Sequence, residues 1–265
     1  PTPEPVRTRI PLNATLPAVP AERVPEVLAK YAGDIQELKI KVAEKGQSLA
    51  DDIARVAAAR EALPNARLKV DANMGYTFAG ALDALRKLCE YGIIYAEQPV
   101  ASIEDMAALR FAIAKEGLPA RIAADESIRK AEDPLKVARA NAADLMVIKA
   151  APLGGVRRAL ALVEQAQLPA VVSSALESSV GIGVGASLAA SLPTLKYGCG
   201  LGTVSLMAED VTDEPLIARD GFMDLRAITP SPQRLERLAT DEQTHQWWVE
   251  RVTACYRVLE RTADL

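Results

Sequence analysis

Short hydrophobic runs alternate with amphipathic segments along most of this chain. Seven segments have apolar residues at the three- and four-residue spacing of a helix with one buried face; they are 21–32, 48–63, 77–92, 102–117, 133–142, 154–167 and 180–192. Between them, runs rich in branched residues predict strands at RIPLNATL (9–16), ELKIKVA (37–43), ARLKVDAN (66–73), IIYAEQP (93–99), ARIAADES (120–127), DLMVIKA (144–150), PAVVSSAL (169–176) and KYGCGLGT (196–203). Eight short strands separated by helices predict a parallel α/β fold.

Polar residues near the end of each predicted strand decide between an open sheet and a closed barrel. In chain order they are Asn13, Lys41, Asp71, Glu97, Asp125, Lys149, Ser173 or Ser174, and the Cys199–Gly200 turn. No glycine-rich dinucleotide or phosphate loop follows the first strand. A ring of polar side chains at successive strand ends is how a (β/α)₈-type barrel presents an active site. We therefore expect a barrel over residues 1–206, and a C-terminal extension over 207–265 whose helix, at about 233–261, packs on the barrel.

Composition and charge narrow the possible chemistry. The chain has 265 residues and a formal net charge of −4, with no basic cluster of the kind that binds nucleic acid. No apolar run approaches the roughly 18 residues that a membrane helix needs. The three cysteines are scattered, which predicts free thiols in a reducing cytoplasm. Because His245 is the only histidine, the acids and bases of an enzyme must be Lys, Asp and Glu.

Three carboxylates follow consecutive predicted strands, in VDAN, YAEQP and ADES. At one barrel mouth Asp71, Glu97 and Asp125 would repel one another, and a hard divalent cation would remove that repulsion. All-oxygen ligation predicts Mg²⁺, with Mn²⁺ as an alternative. The competing interpretation is three unrelated surface acids at the starts of loops.

Lysines flank these acids on both sides. Lys39 and Lys41 share one face of their strand, which is also the pattern of an edge strand with a solvated lysine face. Lys149 follows a hydrophobic run on the other side of the acids. We expect Lys41 to be a base and Lys39 to lower its pKa, since neighbouring positive charges favour the neutral amine. Lys69 also faces inward and is a candidate for a similar part.

The segment SSALESSVGIGVG (173–185) joins a predicted strand to a helix with small residues. Free backbone N–H groups there would bind an anion such as a second carboxylate of a substrate. A turn shaped only by packing is an equally good interpretation. Together with the neighbouring strand ends, these observations give a set of candidate substrate-binding residues: Lys39, Lys69, Asn73, Asn13, Ser173, Ser174 and Gly200.

Five motifs in this order and spacing resemble the enolase superfamily, in its muconate-lactonising subgroup: KIK (39–41), VDAN (70–73), EQP (97–99), ADES (124–127) and IKAAPLGG (148–155). The stretches NATLPAV, KVAEKGQSLADD, ADESIRKAEDP, SSALESSVG and CGLGT are similar to the actinobacterial o-succinylbenzoate synthases. The resemblance implies a TIM-like (β/α)₇β barrel and a Mg²⁺-dependent dehydration in menaquinone biosynthesis. It also implies Asp71, Glu97 and Asp125 as metal ligands.

By the same resemblance, Lys41 takes the proton alpha to the carboxylate of a small-molecule substrate, and Lys149 supports the intermediate from the opposite face. A monomer or small homo-oligomer is expected. Two departures from the family stand out. Met74 and Tyr76 occupy positions where glycine and tryptophan are expected, near the substrate. The family also carries an N-terminal α+β capping domain, whereas this chain begins close to the first barrel strand, so we expect the cap to be missing from it.

Three other functions stay open from the sequence. An N-acylamino acid racemase would use the same two lysines and the same metal. A lysine Schiff-base aldolase would need no metal, and the three carboxylates argue against it. A barrel without a cap is also compatible with a catalytically impaired scaffold or partner-binding module.

Overall fold

Strands and helices alternate in the computed structural model, which describes residues 4–31 and 33–263, with side chains as far as residue 260. Nine strands lie in that part of the chain: β1 (Arg9–Pro11), β2 (Ala14–Leu16), β3 (Glu37–Lys41), β4 (Arg67–Asp71), β5 (Ile93–Glu97), β6 (Arg121–Ala124), β7 (Leu145–Ile148), β8 (Ala170–Val172) and β9 (Phe222–Asp224). Strands β2 to β8 form one sheet in sequence order, and every neighbouring pair is parallel. This is the topology of a right-handed βαβ series.

The sheet closes into a barrel through a short segment that takes the place of an eighth strand. Ser173, directly after β8, bridges to Gly200, and Cys199 bridges to Leu12 ahead of β2; both bridges are parallel. The backbone N–H of Gly200 donates to Val172 at 2.9 Å. The predicted (β/α)₇β barrel is therefore confirmed.

Ten helices accompany the strands in the described residues: α1 (Val24–Leu28), α2 (Leu49–Ala62), α3 (Phe78–Leu88), α4 (Ile103–Lys115), α5 (Glu126–Arg129), α6 (Lys136–Arg139), α7 (Val156–Ala166), α8 (Ser179–Ser191), α9 (Pro232–Arg237) and α10 (Glu242–Ala263). Ser48 caps α2, because its side chain accepts from Asp51 N at 3.3 Å while Asp51 accepts from Ser48 N at 2.7 Å. The helix predicted at 133–142 is shorter, and α5 was not predicted. Ala32, at the end of the first predicted helix, lies outside the described residues.

The predicted first strand, 9–16, is two strands with different partners. β1 pairs antiparallel with β9, whereas β2 pairs parallel with β3. The chain changes partner at Leu12, whose N–H donates to Gly221 O at 2.8 Å, and Asn13, whose N–H donates to Cys199 O at 3.0 Å. Asn13 therefore precedes β2, and the prediction that it ends a strand is wrong.

The C-terminal extension also differs from the sequence-based expectation. The helix expected at about 233–261 is interrupted, giving α9 and α10. Every side chain from residue 241 to residue 260 is exposed, so α10 is not buried against the barrel as predicted. The extension joins the body through β9, which forms a ribbon with β1, and through Asp210 and Leu216, which hydrogen-bond to Ser179 of α8. Residues 1–3 and 264–265, at the ends of the two predicted domains, lie outside the described residues.

Two cores hold the barrel. The larger one lies between strands and helices and is built from alternating apolar strand residues such as Leu38, Ile40 and Ile122. The smaller one fills the barrel interior and includes Tyr95 and Tyr197, whose rings meet edge to face at 5.4 Å. Within the described residues, no helix is both long enough and apolar enough to cross a membrane.

Candidate active site

Three acidic side chains lie next to one another where the central strands end. Asp71 is the last residue of β4, Glu97 is the last residue of β5, and Asp125 directly follows β6. The register pairs Asp71 directly with Glu97. Only 1 to 3% of each side chain is exposed. The carboxylates that the sequence predicted to meet are therefore neighbours at the carboxyl-terminal mouth of the barrel.

Two lysines of β3 reach the same carboxylate oxygen. Lys39 Nζ lies 3.0 Å from Asp71 Oδ2 and 3.3 Å from Glu97 Oε1. Lys41 Nζ lies 2.6 Å from that same Asp71 oxygen. The side chain of Lys41 is 30% exposed, against 12% for Lys39. Of the two, Lys41 is thus the one that a molecule entering the mouth meets first.

Lys149 enters the mouth from the other side. It follows β7, and its Nζ contacts both oxygens of Asp125, at 2.9 and 2.7 Å. Because β3 and β7 are four positions apart in a ring of eight, Lys41 and Lys149 face each other across the mouth. We refer to Lys39, Lys41, Asp71, Glu97, Asp125 and Lys149 as the mouth cluster.

Charge and burial act differently on the members of the mouth cluster. Burial would raise the pKa of Asp71, but Lys39 and Lys41 outweigh it and hold that pKa at about 2. Burial, together with repulsion from Asp71, raises the pKa of Glu97 to about 7. Burial lowers the pKa of Lys39, yet Glu97 and Asp71 outweigh it and leave that pKa above its ordinary value. Of the two acids Asp71 and Glu97, Glu97 is therefore the one whose negative charge the nearby lysines compensate less.

The mouth cluster has the donor chemistry of a site for a hard divalent cation. In the described residues, no three acidic, cysteine or histidine side chains converge closely enough to make a ready metal centre. The reason is visible in the contacts, since Lys39 lies between Asp71 and Glu97. Next to the cluster, Glu126 Oε2 is buried and has no hydrogen-bond partner. Buried carboxylate oxygens with too few donors fit Mg²⁺, provided that Lys39 moves from between them.

Two residues next to the mouth cluster, Gln98 and Arg129, were not predicted from the sequence. Gln98 is fully buried, and its Oε1 accepts from the backbone N–H groups of Asp125 and Ser127, both at 3.1 Å. Arg129 donates to Asp125 at 3.2 Å and to Glu126 at 2.7 Å. Its three- and four-residue spacing from those acids on α5 was the available signal. Gln98 lies next to Glu97 in the EQP motif, but burial decides its role.

The candidate substrate-binding residues separate into two groups. Asn73 is exposed and accepts from Lys41 Nζ at 2.6 Å, so it belongs at the mouth. Ser174 Oγ donates to Gly200 O at 2.9 Å, and Ser173 lies beside the same glycine. A Cβ on Gly200 would come within 2.7 Å of Ser173 Oγ, so a larger residue there would displace the Ser173 hydroxyl.

Lys69 and Asn13 are not brought to the mouth. Lys69 is completely buried one layer lower, with its Nζ 3.2 Å from Glu37 Oε2 and 2.8 Å from Gly198 O. Asn13, ahead of β2, is level with Glu37 and donates to Ala14 O at 3.0 Å. Both were predicted from the face of the strand alone; Lys69 is paired with Lys39, but its side chain turns to Glu37 rather than to the acids of the mouth.

The two departures from the family pattern have structural roles. Met74 has φ of 68°, the left-handed region in which glycine is favoured. Tyr76 is turned away from the mouth, and its hydroxyl donates to Asp52 at 2.6 Å. Burial and this hydrogen bond raise the pKa of Tyr76 above its ordinary value.

Known proteins similar to this chain share both its sequence and its fold. A family model described as "Enolase C-terminal domain-like" matches residues 21–230. An o-succinylbenzoate synthase of Mycolicibacterium smegmatis is 53% identical over 260 residues, which cover 98% of this chain and 78% of that protein. One of Mycobacterium leprae is 50% identical over 258 residues, covering 97% of this chain and 75% of that protein.

Solved structures with a similar fold include two muconate enzymes. Muconate cycloisomerase from Pseudomonas fluorescens has a TM-score of 0.76 at 27% identity, over 88% of this chain and 66% of that one. Muconate lactonizing enzyme from the same organism, complexed with muconolactone, has a TM-score of 0.77 at 28% identity, over 88% and 64%. The chain therefore spans slightly less than two thirds of these two structures.

Proposed function

Because this chain belongs to the enolase superfamily, we propose that its mouth cluster removes water from 2-succinyl-6-hydroxy-2,4-cyclohexadiene-1-carboxylate to give o-succinylbenzoate. This is a carbon–oxygen lyase reaction, and it makes the protein an o-succinylbenzoate synthase of menaquinone biosynthesis. The observation that carries the proposal is the pair Lys41 and Lys149, which face each other across three buried carboxylates. The names of the relatives at about half identity support the same reaction.

Asp71, Glu97 and Asp125 would hold Mg²⁺, or Mn²⁺ in its place. Bound there, the metal would supply positive charge to the substrate carboxylate and so stabilise the negative charge that forms when the neighbouring proton leaves. Glu97 supports this assignment, since its raised pKa of about 7 reports a carboxylate that lacks compensating charge.

Lys41 carries the proton transfers. As the neutral amine, its Nζ accepts the proton from the carbon next to the ring carboxylate. As the ammonium that results, it then donates that proton to the departing hydroxyl, so that water leaves and the ring becomes aromatic. One group can serve both steps when the proton and the hydroxyl leave from the same face of the ring. Asp71 and Asn73, which contact its Nζ at 2.6 Å, orient it.

Lys149 stays protonated on the opposite face and places its charge near the ring carboxylate. Its two bonds to Asp125 keep the ammonium in position. Gly200 and the hydroxyls of Ser173 and Ser174 form the neighbouring wall. The partner of the site is a small-molecule carboxylate. We place the reaction in the cytoplasm, since Cys89, Cys199 and Cys255 are free thiols.

The direct test is to incubate the cyclohexadiene substrate with the protein and Mg²⁺ and to follow the ultraviolet absorbance of the aromatic product. We expect product with Mg²⁺, and none with a chelator or with Lys41→Arg. Lys45→Arg, an exposed lysine in the following loop, is the matched control and should behave as the original. No product, together with deuterium exchange at the alpha carbon of an N-acylamino acid, would replace the proposal with racemisation.

A further inference from the structure

A buried ion pair on α2 lies directly behind the base. Arg55 and Asp52 are one helical turn apart, are each about 1% exposed, and bond at 2.9 Å. The Arg55 guanidinium also donates to two backbone carbonyls, Val19 O at 2.6 Å and Lys41 O at 2.9 Å. It contacts Gln47 Oε1 as well. One buried side chain therefore joins the loop after β2 to the end of β3.

Asp52 extends this network to a third loop. Its Oδ2 accepts from the backbone N–H of Ala43 at 2.9 Å and from the hydroxyl of Tyr76 at 2.6 Å. The loop after β4 lies close to the loop after β3 here, since a Cβ on Gly75 would come within 2.6 Å of Ala43 O. Successive mouth loops are thus connected through the two side chains of α2.

The network holds the backbone at Lys41, the residue that carries the proposed base, and in the turn that follows it. Lys41 is the last residue of β3, and Ala43, two residues later, has φ of 59°, which is disfavoured for alanine. Arg55 holds the carbonyl before this turn and Asp52 holds the N–H within it. The position of this backbone fixes the Cα of Lys41 and therefore the region that its Nζ can reach.

We propose that Arg55, Asp52 and Tyr76 form a positioning network that fixes the end of β3 and thereby aims Lys41 at its proton. The inference rests on the proposed function, because it assigns the network to the base of that reaction. All three act through hydrogen bonds to other protein groups. Tyr76 acts as a hydrogen-bond donor to Asp52, and the tryptophan expected by resemblance at this position also carries a donor N–H.

Stability alone does not account for this arrangement. A buried ion pair generally contributes little compared with well-packed apolar side chains of the same volume. Arg55 and Asp52 hydrogen-bond to backbone atoms at the barrel mouth as well as to each other. That distribution is expected of groups that hold the loops in one geometry.

Three single variants test the network. Tyr76→Phe removes only the hydroxyl, Tyr76→Trp restores a donor, and Tyr91→Phe is the matched control in the turn at the opposite end of the strands. Hydrogen exchange of residues 42–47, kcat, KM and Mg²⁺ affinity are measured for each. For Tyr76→Phe we expect exchange about ten-fold faster and kcat about ten-fold lower, with KM and Mg²⁺ affinity unchanged. Tyr76→Trp should recover most of both losses.

Three other outcomes for Tyr76→Phe would contradict the proposal. Unchanged exchange in Tyr76→Phe, faster exchange with unchanged kcat, or a rise in KM alone would overturn the proposal. If the original protein shows no turnover, the proposed function has failed, and reductive methylation of Lys41 then tests the network separately. Faster methylation of Lys41 in Tyr76→Phe but not in Tyr91→Phe would support the proposal that the network positions Lys41. Equal methylation in both would overturn it.

Discussion

The mouth cluster and the charged layer beneath it occupy the same barrel interior but differ in how their charges are satisfied. In the lower layer, Glu37 accepts from Arg67 at 2.5 Å, from Lys69 at 3.2 Å and from Gly198 N at 2.8 Å. Lys69 donates in turn to Gly198 O at 2.8 Å. We call these four residues the floor cluster. Each of its buried charges has its partner within the protein.

The mouth cluster leaves part of its charge uncompensated. Glu97 has a raised pKa of about 7, and its nearest ammonium, Lys39, is 3.3 Å away and shared with Asp71. Beside the cluster, Glu126 Oε2 has no hydrogen-bond partner. Buried polar groups without partners destabilise a fold unless a ligand completes them. Neighbouring layers of the same strands therefore differ: the lower layer closes the barrel, and the upper layer has the uncompensated charge on which the proposed chemistry depends.

The largest expected effect is on Lys41, the proposed base of the mouth cluster. Lys41→Arg keeps the positive charge, but a guanidinium does not release a proton at working pH. We expect kcat to fall by about 10² to 10⁴-fold, the usual contribution of a general acid–base group. Circular dichroism should show an unchanged fold. Turnover within a few-fold of the original, measured by product absorbance, would remove Lys41 from its role.

The floor cluster should respond in stability instead. Lys69→Met removes the ammonium between Glu37 and Gly198 O and leaves a buried carboxylate without that partner. Breaking one side of a buried ion pair costs about 3–5 kcal/mol in the free energy of unfolding. Urea unfolding measures this change, and Lys87→Met on the exposed surface of α3 is the control. A stable variant that had lost activity would place Lys69 in the chemistry after all.

Glu97→Gln should have the opposite effect on stability when metal is absent. The folded-state pKa of Glu97 is about 7 against an ordinary 4.5, so the folded protein binds more protons between these values. The contribution of Glu97 to the free energy of unfolding is therefore most favourable below about pH 4.5 and is lost as the pH rises through 7. At pH 8 the variant should be more stable than the original by on the order of 1 kcal/mol. Thermal unfolding of both proteins in chelator at pH 5 and pH 8 measures this difference. The same change in unfolding temperature between the two pH values in both proteins would contradict the prediction.

The smallest expected effect concerns the strained turn after β4. Met74→Gly relieves a left-handed φ of 68° but makes the unfolded chain more flexible. These contributions oppose each other, so we expect a change of less than about 1 kcal/mol in the free energy of unfolding. Calorimetric unfolding measures it. A larger loss would mean that the Met74 side chain contributes packing at the mouth.

The barrel was predictable because strand and helix periods alternate clearly along the chain. What the sequence missed depends on contacts distant along the chain. The segment 9–16 is continuous in pattern, yet β1 finds its partner at β9, more than 200 residues later. The exposed face of α10 carries Trp247 and Trp248, whose apolar character alone predicts burial.

The candidate site was predictable in part for a similar reason. Parallel strands bring their ends together, so Asp71, Glu97 and Asp125 were expected to meet from spacing alone. Spacing gives the face of a strand but not the direction that a long side chain takes, and Lys69, which is paired with Lys39, was therefore assigned to the mouth. The buried pair Asp52 and Arg55 carries the ordinary three-residue spacing of a surface ion pair, and only its burial reveals a different role.

A calorimetric Mg²⁺ titration of three proteins tests most directly whether the mouth cluster, and not the floor cluster, is the functional centre. The original protein should bind about one equivalent. Glu37→Gln should bind it with similar affinity, since its carboxylate is already satisfied by Arg67 and Lys69. Glu97→Gln should bind at least about 100-fold more weakly, because it removes a predicted ligand. Equal affinity in Glu97→Gln, or loss confined to a folded Glu37→Gln, would contradict the account.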